Sequence, residues 1–314
     1  MSWYRWRYKA ISAKVETTYG TSAAPAYATD LIYAENLQIT PVEGQDIERQ
    51  VDLGRASHTI SHLVGKHVVI TMDIPMHTSG VIGEPPSYGH ILQACSAAEV
   101  ITAAPSPNEG VVYTPIDDDP VSVTLRMRVD GMSQVITGCR GTWVARANIP
   151  GIPYWSVTMT GLYQAPTPET MPTATPTVAY TPPIPASKDL TSVTLGGVAL
   201  SSSSVEINLG TTVQYVETTA VREVRVLRRD PTASITCEAD LATRNFFADA
   251  DAETDMEFVV AHGSGANRIK IRSVVARIGK ITLTEVNGAT GLVIPLRLRS
   301  STTDPDLQVA FKAA

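Results

Sequence analysis

The sequence predicts a mainly β protein: two tandem β-sandwich or barrel domains, each with a short flanking helix. Three observations carry that expectation. The first is an ordered internal repeat. Val68–Met76 aligns without gaps on Ala233–Leu241, each apolar at alternate positions around an Ile-Thr-x-acid centre. The offset, from Ile70 to Ile235, is 165 residues. Leu37–Thr40 matches Val205–Asn208 at an offset of 168, His90–Ala94 matches Asn245–Asp249 at 155, and Val157–Tyr163 matches Val293–Arg299 at 136. Four elements recur in one order and the offset only shrinks, as one unit copied twice gives when the first copy has longer loops. The second observation is strict alternation over Val121–Asp130, the period of a half-buried strand. The third is composition: only 18% charged residues, with a lean to Thr, Ser, Val, Ala and Pro that suits strands.

Taken in order, residues 1–30 read as an irregular arm, with Gly20 and Pro25 among small residues. Leu31–Val42 begins the first strand pair, and Gln45–His67 is a long polar connection. Val68–Met76 is a strand. Thr78–Tyr88 holds Gly80, Gly83, Pro85 and Pro86 and reads as a loop. Gly89–Ala98 suits a short helix, and Ala104–Asp119 reads as another loop. Val121–Asp130 puts its valines, Leu125 and Met127 on one face and Arg126 and Arg128 on the other. Asp130-Gly131 is a hairpin turn, Gln134–Arg146 returns, and Tyr154–Tyr163 closes the first unit. Ala165–Ser187 carries seven prolines among threonines, which makes it stiff and extended. The second unit has turns at Gly263-Ser264-Gly265 and Asn287-Gly288. The domain reading is an arm over 1–30, a first domain over 31–164, a linker over 165–187 and a second domain over 188–314.

A chain of 314 residues is long enough for each unit to bury a core. Its net charge of −6 argues against a nucleic-acid binder, which needs clustered Lys and Arg. Cys95, Cys139 and Cys237 are odd in number and read as buried free thiols of a protein folded in a reducing cytoplasm. No window approaches the roughly 18 apolar residues of a membrane helix. The basic, aromatic Trp3–Lys9 has no apolar stretch after it, so it is no secretory signal.

Catalytic and metal patterns fare poorly. His58 and His62 have the i, i+4 spacing of some zinc sites, but Gly54, Thr59, Ser61 and Gly65 argue against a helix there. They and His67, His77 and His90 read as solvated loop residues. Asp117-Asp118-Asp119 beside Pro120 reads as a solvated acidic turn, short of a calcium loop. Gly263-Ser264-Gly265 is a strand turn and no nucleophile elbow. Arg222, Arg225, Arg228 and Arg229, interrupted by Glu223 and Asp230, suit ion pairs to an adjacent assembly of the same chain better than DNA recognition. No cofactor, catalytic residue or metal ligand is assigned, and the chain reads as no enzyme.

Several segments resemble the major tail tube proteins of long, non-contractile-tailed bacteriophages. They are Ala13–Thr21 (AKVETTYGT), Asn36–Gly44 (NLQITPVEG), Val64–Val68 (VGKHV), and Ile152–Trp155 through Thr160–Tyr163 with Ala165–Thr167. The resemblance implies two packed β-sheets with a flanking helix, subunits that form rings, and rings that stack into a tube carrying DNA. Two fused copies then imply a trimer that mimics six-fold symmetry. The implied partners are other copies of the chain, the tape measure protein, other tail proteins and passing DNA. The implied place is the virion tail, assembled in the host cytoplasm. Within that frame, Thr71, Asp73, Ser234, Thr236, Glu238 and Asp240 are expected to face the lumen, where a weakly acidic polar wall lets a polyanion slide. Gln45–His67 and Gly210–Thr232 are expected to be ring-stacking loops, through Asp46, Glu48, Arg49, Asp52 and Arg55 and through Arg222, Glu223, Arg225, Arg228 and Arg229. The alternatives are a tail-tip or tail-terminator protein of the same fold, or a two-domain β-sandwich that binds a carbohydrate or host surface.

Overall fold

A computed structural model describes residues 5–48, 61–102, 110–118 and 120–312. The protein is mainly β, as expected. The first half contains β1 (Lys9–Val15), β2 (Leu31–Ile32), β3 (Glu35–Glu48), β4 (Ser61–Pro75), helix α1 (Gly89–Ala94), β5 (Ala97–Thr102), β6 (Gly110–Pro115), β7 (Val123–Val129), β8 (Met132–Asn148), β9 (Tyr154–Leu162) and β10 (Thr167–Pro168). The second contains β11 (Thr191–Leu195), β12 (Val198–Ala199), β13 (Ser202–Asn208), β14 (Thr211–Glu217), β15 (Arg222–Arg229), β16 (Thr232–Glu238), helix α2 (Phe246–Asp251), β17 (Asp255–His262), β18 (Ile269–Ile278), β19 (Thr282–Val286), β20 (Ala289–Arg299) and β21 (Gln308–Lys312).

The same order of antiparallel pairings runs through both halves. In the first, β1 pairs with β2 and β7, β7 with β8, β8 with β9, β9 with β4, and β4 with β3. In the second, β11 pairs with β12 and β17, β17 with β18, β18 with β20, β20 with β16, and β16 with β13. In each half one long strand, β8 or β18, links the ladder on one side to the ladder on the other. The buried apolar side chains of both halves form one continuous cluster, from Ile11 and Ile70 to Ile235 and Ile294.

β8 passes between sheets at a bulge between Thr137 and Arg140. Gly138 makes this possible: its φ of 61° is left-handed, and a Cβ there would meet the Tyr19 ring at 2.8 Å. In the second half the equivalent path is broken. Pro295 has no N–H to give to a ladder, and opposite it the chain leaves β18 at Ile278 and re-enters at Thr282 as β19.

The last five residues of β8, Val144–Asn148, also pair with Ser204–Asn208 of β13. This joint fuses two of the sheets into one open antiparallel ladder in the order β3-β4-β9-β8-β13-β16-β20-β19. The barrel alternative is corrected here, because the sheets do not close within the chain.

Several local expectations change. Lys9–Val15, expected within an irregular arm, is a strand along β7 with Ile11 and Ala13 buried. Its Lys, Ser and Ala residues hide the strand, which is held by pairing more than a hundred residues away. Within Ala104–Asp119, expected as a loop, Gly110–Pro115 is strand β6. It pairs with β5 and with β21, carrying the hairpin onto the second half. The helix expected over Gly89–Ala98 ends at Ala94.

The polar side of β7 is buried as well. Thr124 is fully enclosed and, with Ser122 and the N–H groups of Gly20 and Gly138, donates to the Glu16 carboxylate at 2.7–2.9 Å. Arg126 and Arg128 do not pair with Asp130, which bonds Arg5 instead. Both grip Glu169 of the linker, at 2.7 and 3.2 Å. The linker is extended, as its prolines dictate, and docked along the first half. Thr167–Pro168 pairs with the start of β8, and Tyr180 packs on Tyr33 and His77.

The ladder registers correct the repeat alignment. Ile70 pairs with Met159, and Ile235, 165 residues on, pairs with Ile294. β9 therefore corresponds to β20 at an offset of 135 and not 136. A one-residue slip exchanges the faces of a strand, and the corrected register sets buried Met159 on buried Ile294. Likewise Ile39 pairs with Ile70 and Val205 with Ile235, so β3 corresponds to β13 at 166 and not 168. Both strands also carry a bulge at the same place, after Glu35 and after Ser202.

Candidate assembly surface

One face of the eight-strand ladder is apolar and buried, through Ile70, Met72, Ile74, Trp143, Val157, Val205, Ile235 and Ile294. Side chains alternate along a strand and directly paired residues share a face, so the opposite face can be read row by row. One row runs Gln38, Thr71, Thr158, Thr142. The next runs Glu35, Asp73, Ser156, Val144, Asn208, Thr232, Arg297. A third carries Arg146, Glu206, Ser234, and a fourth Asn148, Ser204, Thr236, Val293. Glu238 lies beyond them opposite Gly291.

Thr71, Asp73, Ser234, Thr236 and Glu238 thus fall on one continuous polar face. Asp240 does not. It follows β16 and folds into a turn, accepting from the N–H groups of Ala242 and Thr243 at 3.2 and 3.1 Å. Bonds from Thr243 hold its carboxyl below the usual carboxylate range. Ser156, Thr158, Thr142, Arg146 and Glu206 also belong to the face, although none was among the residues expected there. The alternation of the first four within β8 and β9 is a local signal, but only the β8–β13 joint places them beside Glu206 and the second half.

The face is hydroxyl-rich and its charges are mostly engaged. Asp73 accepts from Ser156 Oγ at 2.5 Å and from Asn36 Nδ2 at 2.9 Å. Arg146 Nε meets Glu206 at 3.1 Å, and Ser201 donates to Glu238 at 3.1 Å. Arg140 turns away to donate to the carbonyls of Val224 and Pro120.

The described parts of the two segments expected as stacking loops are paired antiparallel strands. Gln45–Glu48 pairs with Ser61–Val64 and every residue of that ladder is exposed, Asp46 and Glu48 included. Arg49, Asp52, Arg55 and His58 lie outside the described residues. β14 and β15 form a separate two-stranded sheet laid against the first half. Val224 is fully buried there, its N–H donating to Tyr19 Oη at 2.6 Å, and Tyr215 stacks on His67. The arginines of this hairpin pair within the chain: Arg222 with Glu217 at 2.7 Å, Arg225 with Glu223, Arg228 with Asp230 at 2.5 Å, and Arg229 with Asp306 at 2.9 Å. Arg222 and Arg228 still expose most of their side chains, whereas Arg229 is turned in.

His62 lies on a strand, which ends the helical reading of His58 and His62. Among the described residues no three His, Cys, Asp or Glu side chains converge as metal ligands. The three cysteines are buried and free, and burial raises each thiol.

His77 was expected in a solvated loop and is buried instead. It lies among Tyr33, Tyr88 and Tyr180, with Nδ1 on the Pro75 carbonyl and Nε2 on Ser87 Oγ, both at 2.8 Å. Burial pushes its pKa down to about 4. The unfolded chain then binds this proton more tightly than the folded one, so stability falls as pH drops from about 6.5 toward 4. The loss expected from this group reaches about 3 kcal/mol at pH 4. Urea midpoints at pH 7 and pH 4.5 check this: His77→Gln should flatten the difference, and an unchanged difference would assign it elsewhere.

A family model described as phage tail tube protein matches residues 9–309. No curated protein matches the chain.

Proposed function

The chain belongs to the phage tail tube protein family, and from that membership we propose that it is the repeating subunit of the tube of a long, non-contractile tail. It acts by assembly, without turnover. Rings of the chain stack into a channel through which the genome leaves, against the tape measure protein and other tail proteins during construction. The observation that carries the reading is the open eight-strand ladder with one apolar and one hydroxyl-rich face. An open ladder leaves reactive edges, and joining copies into a closed wall removes them.

The two halves are a tandem duplication. Support comes from their matching pairing order, their matching bulges, and helices α1 and α2 at corresponding places. The boundary falls in the docked 165–187 linker, although the buried clusters merge. Three chains of eight strands give a wall of twenty-four, and an even number keeps every pair antiparallel. With strands about 4.7 Å apart and tilted about 40°, such a wall is on the order of 45 Å across, wide enough for a DNA duplex. Two chains would give about 30 Å, too little once side chains fill the bore.

Thr71, Asp73, Ser234, Thr236 and Glu238 then line the lumen. With hydroxyls dominant and Arg146 paired to Glu206, Arg297 is too little positive charge to hold the duplex through counterion release. The exposed β3–β4 hairpin and the outer arginines of the β14–β15 hairpin meet the next ring. Electron microscopy of the purified chain is the test. Long tubes are expected; single rings would favour a terminator or tip protein, and persistent monomers would end the reading.

A further inference from the structure

The joint between the two halves is a template for the joint between chains. β19 corresponds to the end of β8. Thr142–Arg146 pairs with Thr158–Tyr154 of β9, and Thr282–Val286 pairs with Val293–Ala289 of β20. These are the same five steps, shifted by 140 and 135 residues. The other edge of β8 is filled by β13, whereas β19 has no strand beyond it among the described residues. At the opposite end of the ladder, β3 corresponds to β13. Its edge away from β4 likewise has no strand among the described residues. The strand that β19 lacks and the strand that β3 lacks are each other's counterparts.

Exposure marks the same gap. Leu283 occupies the place of Trp143, yet it is 70% exposed where Trp143 is 3% exposed. Val42, at 36%, stands in the region where β13 carries Ile207, at 1%. Two apolar side chains that the first joint would bury lie bare, one at each end of the ladder.

We propose that β19 of one chain pairs antiparallel with β3 of a second copy, in the register of the β8–β13 joint. That register sets Ser204 against Asn148, Glu206 against Arg146 and Asn208 against Val144. Carried over through the β3 bulge between Thr40 and Glu43, it sets Gln38 against Gly288, Thr40 against Val286 and Glu43 against Thr284. Leu283 and Val42 come together diagonally beneath the joint, where Glu285 takes the place of Ala145. The face that carries Thr71 and Asp73 continues from one chain to the next, with the buried Val286 in the place of Arg146.

This joint rests on the tube reading, and the experiment separates the two. Glu43 and Thr284 are both exposed, and the native thiols are buried and protonated, so new cysteines report alone. Tubes of Glu43→Cys/Thr284→Cys are oxidised beside tubes of Glu43→Cys/Thr282→Cys and the unmodified chain. Directly opposed positions satisfy disulfide geometry, and positions two residues off do not. The first variant should give covalent species of up to three chains on non-reducing gels, and the second only traces. An unmodified chain that forms tubes while the 43/284 variant gives no cross-links, or cross-links stronger at 43/282 than at 43/284, would overturn the joint alone. An unmodified chain that never assembles would overturn the tube reading and the joint with it.

Discussion

Leu283→Asp is expected to leave the chain folded and to stop it from closing rings. In the single chain Leu283 stands in water on the edge strand β19. Its replacement should move the unfolding midpoint little, within about 0.5 kcal/mol. At the proposed joint the same side chain is enclosed as Trp143 is. Losing its burial costs about 2 kcal/mol, and an unpaired carboxylate under the sheet adds to that. A penalty of about 3 kcal/mol weakens each contact roughly a hundredfold, and a closed ring carries it at every joint. Sedimentation should show monomers at concentrations where the unmodified chain forms tubes, with circular dichroism unchanged. Tubes of normal stability would mean that the residue is not buried by assembly.

The second large effect concerns the linker. Glu169→Ala is expected to destabilise the chain by about 3 kcal/mol. The carboxylate bonds Arg126 and Arg128, and Arg128 is only 4% exposed, sharing its remaining contact with Ser12 Oγ at 3.3 Å. Without Glu169 a buried guanidinium is left beside another cation. The carboxylate is partly open to solvent, so screening trims the loss from the upper end of the range for buried pairs. Glu169 sits below its ordinary pKa even though burial pushes it up, because bonds from Ser133, Arg126 and Arg128 prevail. Its contribution is therefore present above the unfolded carboxylate range and lost as pH falls through the folded value. The double change Glu169→Ala/Arg128→Met removes the stranded charge and should recover most of the stability in urea titrations. If the single change costs nothing, the linker is not held by this pair.

The fold class was legible because alternating strands write their period into the sequence. The pairing partners were not. A match such as Val157–Tyr163 on Val293–Arg299 fits nearly as well one step away. Only the ladder, with its bulges after Glu35 and Ser202, fixes the step. β1 was missed because KAISAKV has little strand character and takes its order from β7. The arginines of β7 looked solvent-facing because their partner, Glu169, lies some forty residues on in a segment that reads as mere spacer.

The polar face illustrates the same limit. Thr71, Asp73, Ser234, Thr236 and Glu238 could be picked from the repeat, since equivalent strands point equivalent residues the same way. That they form one surface depends on Val144–Asn148 meeting Ser204–Asn208, a contact across some sixty residues that no local pattern announces. Asp240 leaves the face because the gapless match runs past the strand's end at Glu238 into a turn that the first half does not share.

A cryo-EM reconstruction of assembled tubes, with symmetry determined from the images, bears most directly on the claim that this ladder closes through copies of itself. Three chains per ring are expected, with twenty-four strands in the wall, β19 beside the neighbour's β3, and Asp73 and Glu238 facing the bore. Six chains per ring, or a wall in which those carboxylates point outward, would contradict it.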